Sequence, residues 1–220
     1  MSVEADAIEP GRECPRCPRL VAFRDANRAL HPQWHNAPVA SFKPAPGSSE
    51  VWLLIVGLAP GLRGANRTGR PFTGDFAGNL LYRTLIRFGL AAGDYDARSD
   101  DGLSLVGCRI TNAVRCVPPA NKPTPAEIAA CRPYLYAEIN ALPRLQAIAA
   151  LGAVAHDAVL AALGLSRKEH PFAHGVRYRL PCGIDLAASY HCSRQNTNTG
   201  RLTPAMFEDV FKDLVAFRRS

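Results

Sequence analysis

Cys14-Pro-Arg-Cys17 is a C-x-x-C pair with a proline after each cysteine, and Cys116 and Cys131 form a second, wider pair far downstream. Four thiolates can enclose one metal centre, and zinc and a [4Fe–4S] cluster both accept such a set. Spacing weighs against zinc, because a zinc ribbon usually repeats a tight knuckle in its second half and the Cys116/Cys131 pair does not. Cys108, Cys182 and Cys192 read instead as unligated core thiols. A disulfide framework is not expected: Met1 to Glu13 is polar and acidic rather than basic then apolar, so a secretory signal is absent from the reading and a reducing, cytoplasmic setting is the default.

A second group of candidates lies elsewhere. The segment Gly57 to Gly78 carries six glycines and a single carboxylate, Asp75. Neither G-x-x-x-x-G-K-[ST] nor G-x-G-x-x-G fits it, so a phosphate-gripping loop of those types is excluded. Its glycines let backbone N–H groups approach a ligand, which makes Gly57, Leu58, Ala59, Pro60 and Gly61 the expected floor of a binding site. Phe72 offers a face on which a flat ring can stack. Asn112 offers one donor and one acceptor to the edge of a nucleobase. His191 opens a polar run at a strand end, where a neutral imidazole can donate to charge developing on a substrate oxygen.

The elements that must bring these residues together are legible as apolar runs. Val51 to Gly57, Cys108 to Val114, Ala147 to Leu151 and Ile184 to Tyr190 read as strands, with Arg177 to Leu180 as a short antiparallel addition. Helices are expected over 18–30, 79–88, 125–140, 153–163 and 204–218, the third opened by a Thr124-x-x-Glu127 capping box. The proline-rich stretch from His31 to Ser49 reads as an irregular connector. Strand then helix, repeated, predicts an α/β chain with a mainly parallel sheet covered on both faces. With 220 residues, 47% of them hydrophobic, one domain spanning the chain is expected, and no run approaches a membrane span. Ligands of such sheets bind beyond the carboxyl ends of the strands, which selects Gly57 to Gly61, Asn112 to Cys116 and Tyr190 to Asn196 as one cleft.

A stacking face, an edge reader, an oxygen-directed donor and one carboxylate together suit cleavage of an N-glycosidic bond. A base in duplex DNA must first be flipped into such a pocket, and contacts to phosphate help to offset that cost. The net charge of +7 favours an anionic partner. Arg63, Arg67, Arg70 and Arg194, with Ser193 beside the last, are the expected DNA contacts.

Seven ordered blocks resemble one family: Cys14-Pro-Arg-Cys17, Gly57-Leu-Ala-Pro-Gly61, Gly64-Ala-Asn-Arg-Thr-Gly69, Phe72-Thr-Gly-Asp75, Thr111-Asn-Ala-Val-Arg-Cys116, Asn121-Lys-Pro-Thr-Pro125 and His191-Cys-Ser-Arg-Gln-Asn196. By these the chain resembles the uracil-DNA glycosylase superfamily, in particular its iron–sulfur members and most closely family 5 (type B). The resemblance implies an α/β/α sandwich on a four-stranded parallel sheet, and a structural [4Fe–4S] cluster on Cys14, Cys17, Cys116 and Cys131. It also implies release of uracil, hypoxanthine and other deaminated bases from DNA, leaving an abasic site. The first motif is apolar where related families carry an acidic residue or asparagine. That absence moves the water-orienting role to Asp75, with Phe72 stacking on the base, Asn112 reading its edge and His191 donating to the uracil O2. Relatives commonly have His-Pro-Ser where this chain has His191-Cys192-Ser193. The competing reading is an iron–sulfur nucleic-acid-binding or redox protein without glycosylase activity, although the wide cysteine spacing does not resemble ferredoxin runs. A monomer is expected.

Overall fold

In a computed structural model, which describes residues 9–47 and 50–219, the near-continuous apolar runs become the inner strands of one sheet. The polar segment from Met1 to Ile8 lies outside the described residues. Strands β1 (Leu53–Gly57), β4 (Cys108–Asn112), β5 (Ala147–Leu151) and β7 (Asp185–Ser189) are buried at every position, as parallel strands covered on both faces must be. The short β6 (Arg177–Arg179) pairs antiparallel with β7, giving the order β4-β1-β5-β7-β6. The four parallel strands and the antiparallel addition are those the sequence predicts. Strands β2 (Ala91–Ala92) and β3 (Ser104–Leu105) form a separate two-stranded sheet that it does not predict.

Alternation along β1 explains the three layers. Leu53 and Ile55 point to a core shared with Leu81 and Leu85 of α3 (Phe76–Arg87) and with Phe207, Phe211 and Leu214 of α7 (Pro204–Arg219). Leu54 and Val56 point the other way, to Leu135 and Ile139 of α4 (Pro125–Asn140) and Val159 of α5 (Ala153–Ala162). Helix α1 (Pro18–Leu30) packs outside these layers, with Leu20 against Val114 and Cys131. The α4 capping box forms as expected: Glu127 N–H donates to Thr124 Oγ1 at 3.3 Å and Thr124 N–H to Glu127 Oε2 at 2.8 Å. The same Glu127 carboxylate receives Arg19 through two bonds of 2.7 Å, clamping α1 to α4. Two short helices, α2 (Ala65–Thr68) and α6 (Arg194–Asn198), complete the set.

Helix α3 starts at Phe76, three residues before the expected Asn79. Gly78 obscures the start, because glycine disfavours helix interiors. Here it is required: a Cβ at Gly78 would overlap the Phe72 carbonyl oxygen and the Tyr95 hydroxyl. The connector after His31 lays Phe42 against β4 through paired bonds with Ile110 of 2.9 and 3.0 Å, covering that edge of the sheet. Among the described residues no helix is long and apolar enough to cross a membrane.

Candidate active site

Register places the first two site residues side by side, since Gly57 ends β1 directly opposite Asn112, the last residue of β4. Beyond these ends lies a cavity of about 510 Å³. Leu58 to Gly61 form one wall, Phe72 and Asp75 a second, and the segment His191 to Asn196 after β7 a third. Three strand ends therefore converge as the sequence predicts. The fourth, β5, is followed by Gly152 beside an adjoining cavity that also reaches His191.

Asp75 holds two positions at once. It is the N-cap of α3, where Oδ1 accepts the Gly78 N–H at 3.3 Å. Its other oxygen faces the glycine-rich loop: a Cβ at Gly61 would stand 3.0 Å from Oδ2, and one at Gly64 would overlap it. One oxygen thus secures the helix while the second remains directed at the cavity wall, and only glycine leaves room for it. Burial pushes the Asp75 pKa up from its ordinary value, against the pull of the Gly78 and Ala77 backbone amides.

The His191 ring lies 5.9 Å from that of Phe72, at 26° between planes. Burial pushes its pKa down to about 4, so the imidazole is neutral at physiological pH. Phe72 is itself buried, with a left-handed backbone (φ 53°) held by the Tyr95 hydroxyl donating to its carbonyl at 3.2 Å. Cys192 is a fully buried member of the core that also holds Phe72. Ser193 Oγ accepts the Asn196 N–H at 3.4 Å and caps α6, and the Asn196 amide donates to the His191 carbonyl at 2.8 Å. These bonds tie the strand exit to the helix that follows.

Of the arginines expected at DNA, Arg63, Arg67 and Arg194 are exposed. Arg194 lies at the cavity wall, over the Phe76 ring at 5.3 Å. Arg70 is a correction. It is buried and forked onto Asp101 at 2.8 and 2.7 Å, with its guanidinium 5.0 Å over the Phe42 ring. A buried, satisfied ion pair has no hand left for phosphate, and Arg70 instead braces the loop that carries Phe72. Cys182 is a second correction: it is exposed at the turn between β6 and β7, while Cys108 and Cys192 are buried as expected. Asn121, Lys122, Gln195 and Asn196 also line the cavity, and residue type alone gives them no role there. Ala120 and Asn121 both adopt left-handed backbone (φ 54° and 56°), a strain that clusters at functional sites.

The four paired cysteines come together elsewhere. Cys14 and Cys17 before α1, Cys116 after β4 and Cys131 on α4 line one small pocket walled by Leu20, Val21 and Val114. Arg115 N–H donates to Cys131 Sγ at 3.4 Å, and the Arg115 guanidinium pairs with Glu138 on α4, fixing the β4 exit to that helix. Burial, with the neighbouring thiols, pushes the Cys116 pKa up to about 12. Among the described residues, no three His, Cys, Asp or Glu side chains close tightly enough to hold a single metal ion. The donor set, four thiols in an apolar pocket with a backbone N–H on one sulfur, is the chemistry that an iron–sulfur cluster requires.

Comparison with known proteins agrees with this geometry. Residues 44–215 match the uracil DNA glycosylase superfamily. A type-5 uracil-DNA glycosylase of Thermus thermophilus is 48% identical over 206 residues, covering 91% of each chain. One from Mycobacterium tuberculosis is 45% identical, over 91% of this chain and 76% of its own. A type-4 enzyme of Pyrobaculum aerophilum is 30% identical, over 94% of this chain and 88% of its own. The chain belongs to the uracil DNA glycosylase superfamily and, within it, to the type-5 uracil-DNA glycosylases.

Proposed function

We propose that the protein is a monofunctional DNA N-glycosylase that flips uracil out of DNA and hydrolyses its glycosidic bond, leaving an abasic site. The observation that carries this reading is the convergence of Asp75, Phe72, Asn112 and His191 on one cavity of a chain in this family. Phe72 stacks on the flipped base and Asn112 reads its edge. As the bond from the sugar C1′ to the base nitrogen breaks, its electron pair stays on the base, and neutral His191 donates to the oxygen that takes up the charge. Asp75 Oδ2 holds the water that adds to C1′ and offsets the positive charge on the sugar. Arg63, Arg67 and Arg194, with Ser193, meet the phosphates. A cavity of about 510 Å³ falls within the roughly 300–1,000 Å³ of small-molecule sites, and the proposed range extends from uracil to hypoxanthine. The reading places the enzyme in the cytoplasm, acting as a monomer.

The test is single-turnover incubation with duplexes containing one uracil or one hypoxanthine, followed by alkali to reveal abasic sites. Release of both is expected. Release of uracil alone would narrow the range, and release of neither would favour a binding or redox protein.

Cys14, Cys17, Cys116 and Cys131 would hold a [4Fe–4S] cluster, which when bound cross-links α1, the β4 exit and α4. Cys116→Ser is therefore expected to lose iron and visible absorbance and to lower the melting temperature by roughly 10 °C, the scale of a lost structural metal. Unchanged iron content and melting temperature would sink this assignment.

A further inference from the structure

His191 leaves β7 through Tyr190, and the Tyr190 N–H has an unusual partner. On the β6 side of β7 the backbone ladder runs out: Ala188 N–H donates to the Val176 carbonyl at 2.9 Å and Gly175 N–H to the Ala188 carbonyl at 2.8 Å. The next N–H on that edge, from Tyr190, donates to the imidazole Nδ1 of His174 at 3.1 Å. A side chain thus takes the place of a strand carbonyl, one residue before His191.

A backbone N–H can only donate, so Nδ1 must be unprotonated and the ring proton resides on Nε2. Burial lowers the His174 pKa from its ordinary value, which favours the neutral ring that this bond requires. The ring also stacks on Tyr190, with centroids 5.0 Å apart and planes at 17°, and the Arg201 guanidinium lies 4.5 Å over the Tyr190 ring. His174 thus adds one bond and one stack to a strand exit that the Gly152 N–H also holds, donating to the Ser189 carbonyl at 2.8 Å, and the Ser189 hydroxyl, donating to the Tyr190 carbonyl at 2.9 Å.

We propose that His174 is a positioning residue: in its Nε2–H form it fixes the Tyr190 peptide and so sets the direction of the His191 imidazole over the base. This rests on the donor role of His191 given above. Displacement of a reacting group by about 1 Å can cost on the order of 100-fold in rate.

Three variants separate this from a packing role. His174→Ala is expected to slow single-turnover uracil release by about 10- to 100-fold while leaving the DNA dissociation constant within about 3-fold. His174→Asn, whose amide oxygen occupies roughly the place of Nδ1, is expected to restore the rate to within about 3-fold. His174→Gln, whose amide reaches toward Nε2, is expected to remain slow. A wild-type rate for His174→Ala, or rescue by Gln and not Asn, would overturn the proposal. Coupling distinguishes its failure from that of the His191 role: with His191→Ala already slow, adding His174→Ala should cost nothing further. If His191→Ala alone keeps the wild-type rate, the donor role fails instead. The ¹⁵N resonances of His174 provide a readout independent of activity, and a ring protonated on Nδ1 at pH 7 refutes the arrangement.

Discussion

Replacing Asp75 by asparagine should reduce single-turnover uracil release by about 1,000-fold while leaving the protein at least as stable as the wild type. The rate loss follows from the division between the two oxygens. Asparagine keeps an acceptor for the Gly78 N–H, so the α3 cap survives. It removes the charge that faces the developing sugar cation and the acceptor for the water proton, which together are worth about 10²- to 10⁴-fold in comparable sites. The stability sign comes from the raised pKa. Burial makes the folded state hold its proton more tightly than the unfolded chain does, so the ionised side chain opposes folding at every pH above its folded pKa. At pH 7 the substitution removes that opposition. The pH profile follows the same shift: activity needs the carboxylate, so the acid limb of the wild type should lie above pH 3.8, the ordinary aspartate value, and vanish from the residual activity of Asp75→Asn. With its pKa pushed down to about 4, the His191 imidazole is neutral above about pH 5 and supplies no part of a limb that lies there. An Asp75→Asn enzyme that retains both the rate and the acid limb would remove Asp75 from the chemistry.

The readable parts of this molecule are those with a period or a constraint on type. Parallel strands buried on both faces have no alternation to confuse, so Leu53–Gly57 and Ala147–Leu151 announce themselves as apolar runs, and the rule on strand ends then locates the cavity. Asp75 stands out because it is the only acid in a segment of glycines. Spacing pairs the four cysteines, but only the packing of α1 and α4 on the β4 exit brings them to one pocket. Arg70 is not legible in this way because charge says nothing about partner: Asp101, 31 residues on, is brought to it by tertiary structure alone. Asn121 and Lys122 sit among prolines in a turn without period, and their approach to the cavity depends on left-handed backbone at Ala120 as well as Asn121, a conformation that alanine does not favour. His174 was invisible for the same reason. Its significance is a bond to a backbone N–H left over where a ladder ends.

A methyl group at Gly57 should have the next largest effect, because the two residues assigned to the base meet there. A Cβ would overlap the Asn112 carboxamide oxygen and stand 2.5 Å from Phe72 Cζ and 2.8 Å from its Cε2. Neither neighbour yields easily. Asn112 is fixed in register opposite Gly57 by the β1–β4 pairing, and the backbone of Phe72 is held by Tyr95 on one side and, through Pro71, by the buried Tyr82 hydroxyl at 2.5 Å on the other. Gly57→Ala must therefore displace the stacking ring, the edge-reading amide or both, and the expected loss in single-turnover rate is about 100-fold. Overpacking of this kind should also cost about 1–3 kcal/mol of stability, measurable by denaturant unfolding. Gly61→Ala separates the two walls: its Cβ would meet only Asp75, at 3.0 Å from Oδ2 and 4.0 Å from Cγ, so any loss of rate should come through the carboxylate, with Phe72 and Asn112 left in place. If Gly57→Ala lost stability but kept its rate, base recognition would not depend on Phe72 and Asn112 as they stand, and the cavity would have to hold the base against its other walls, the Leu58 to Gly61 loop and the turn through Asn121.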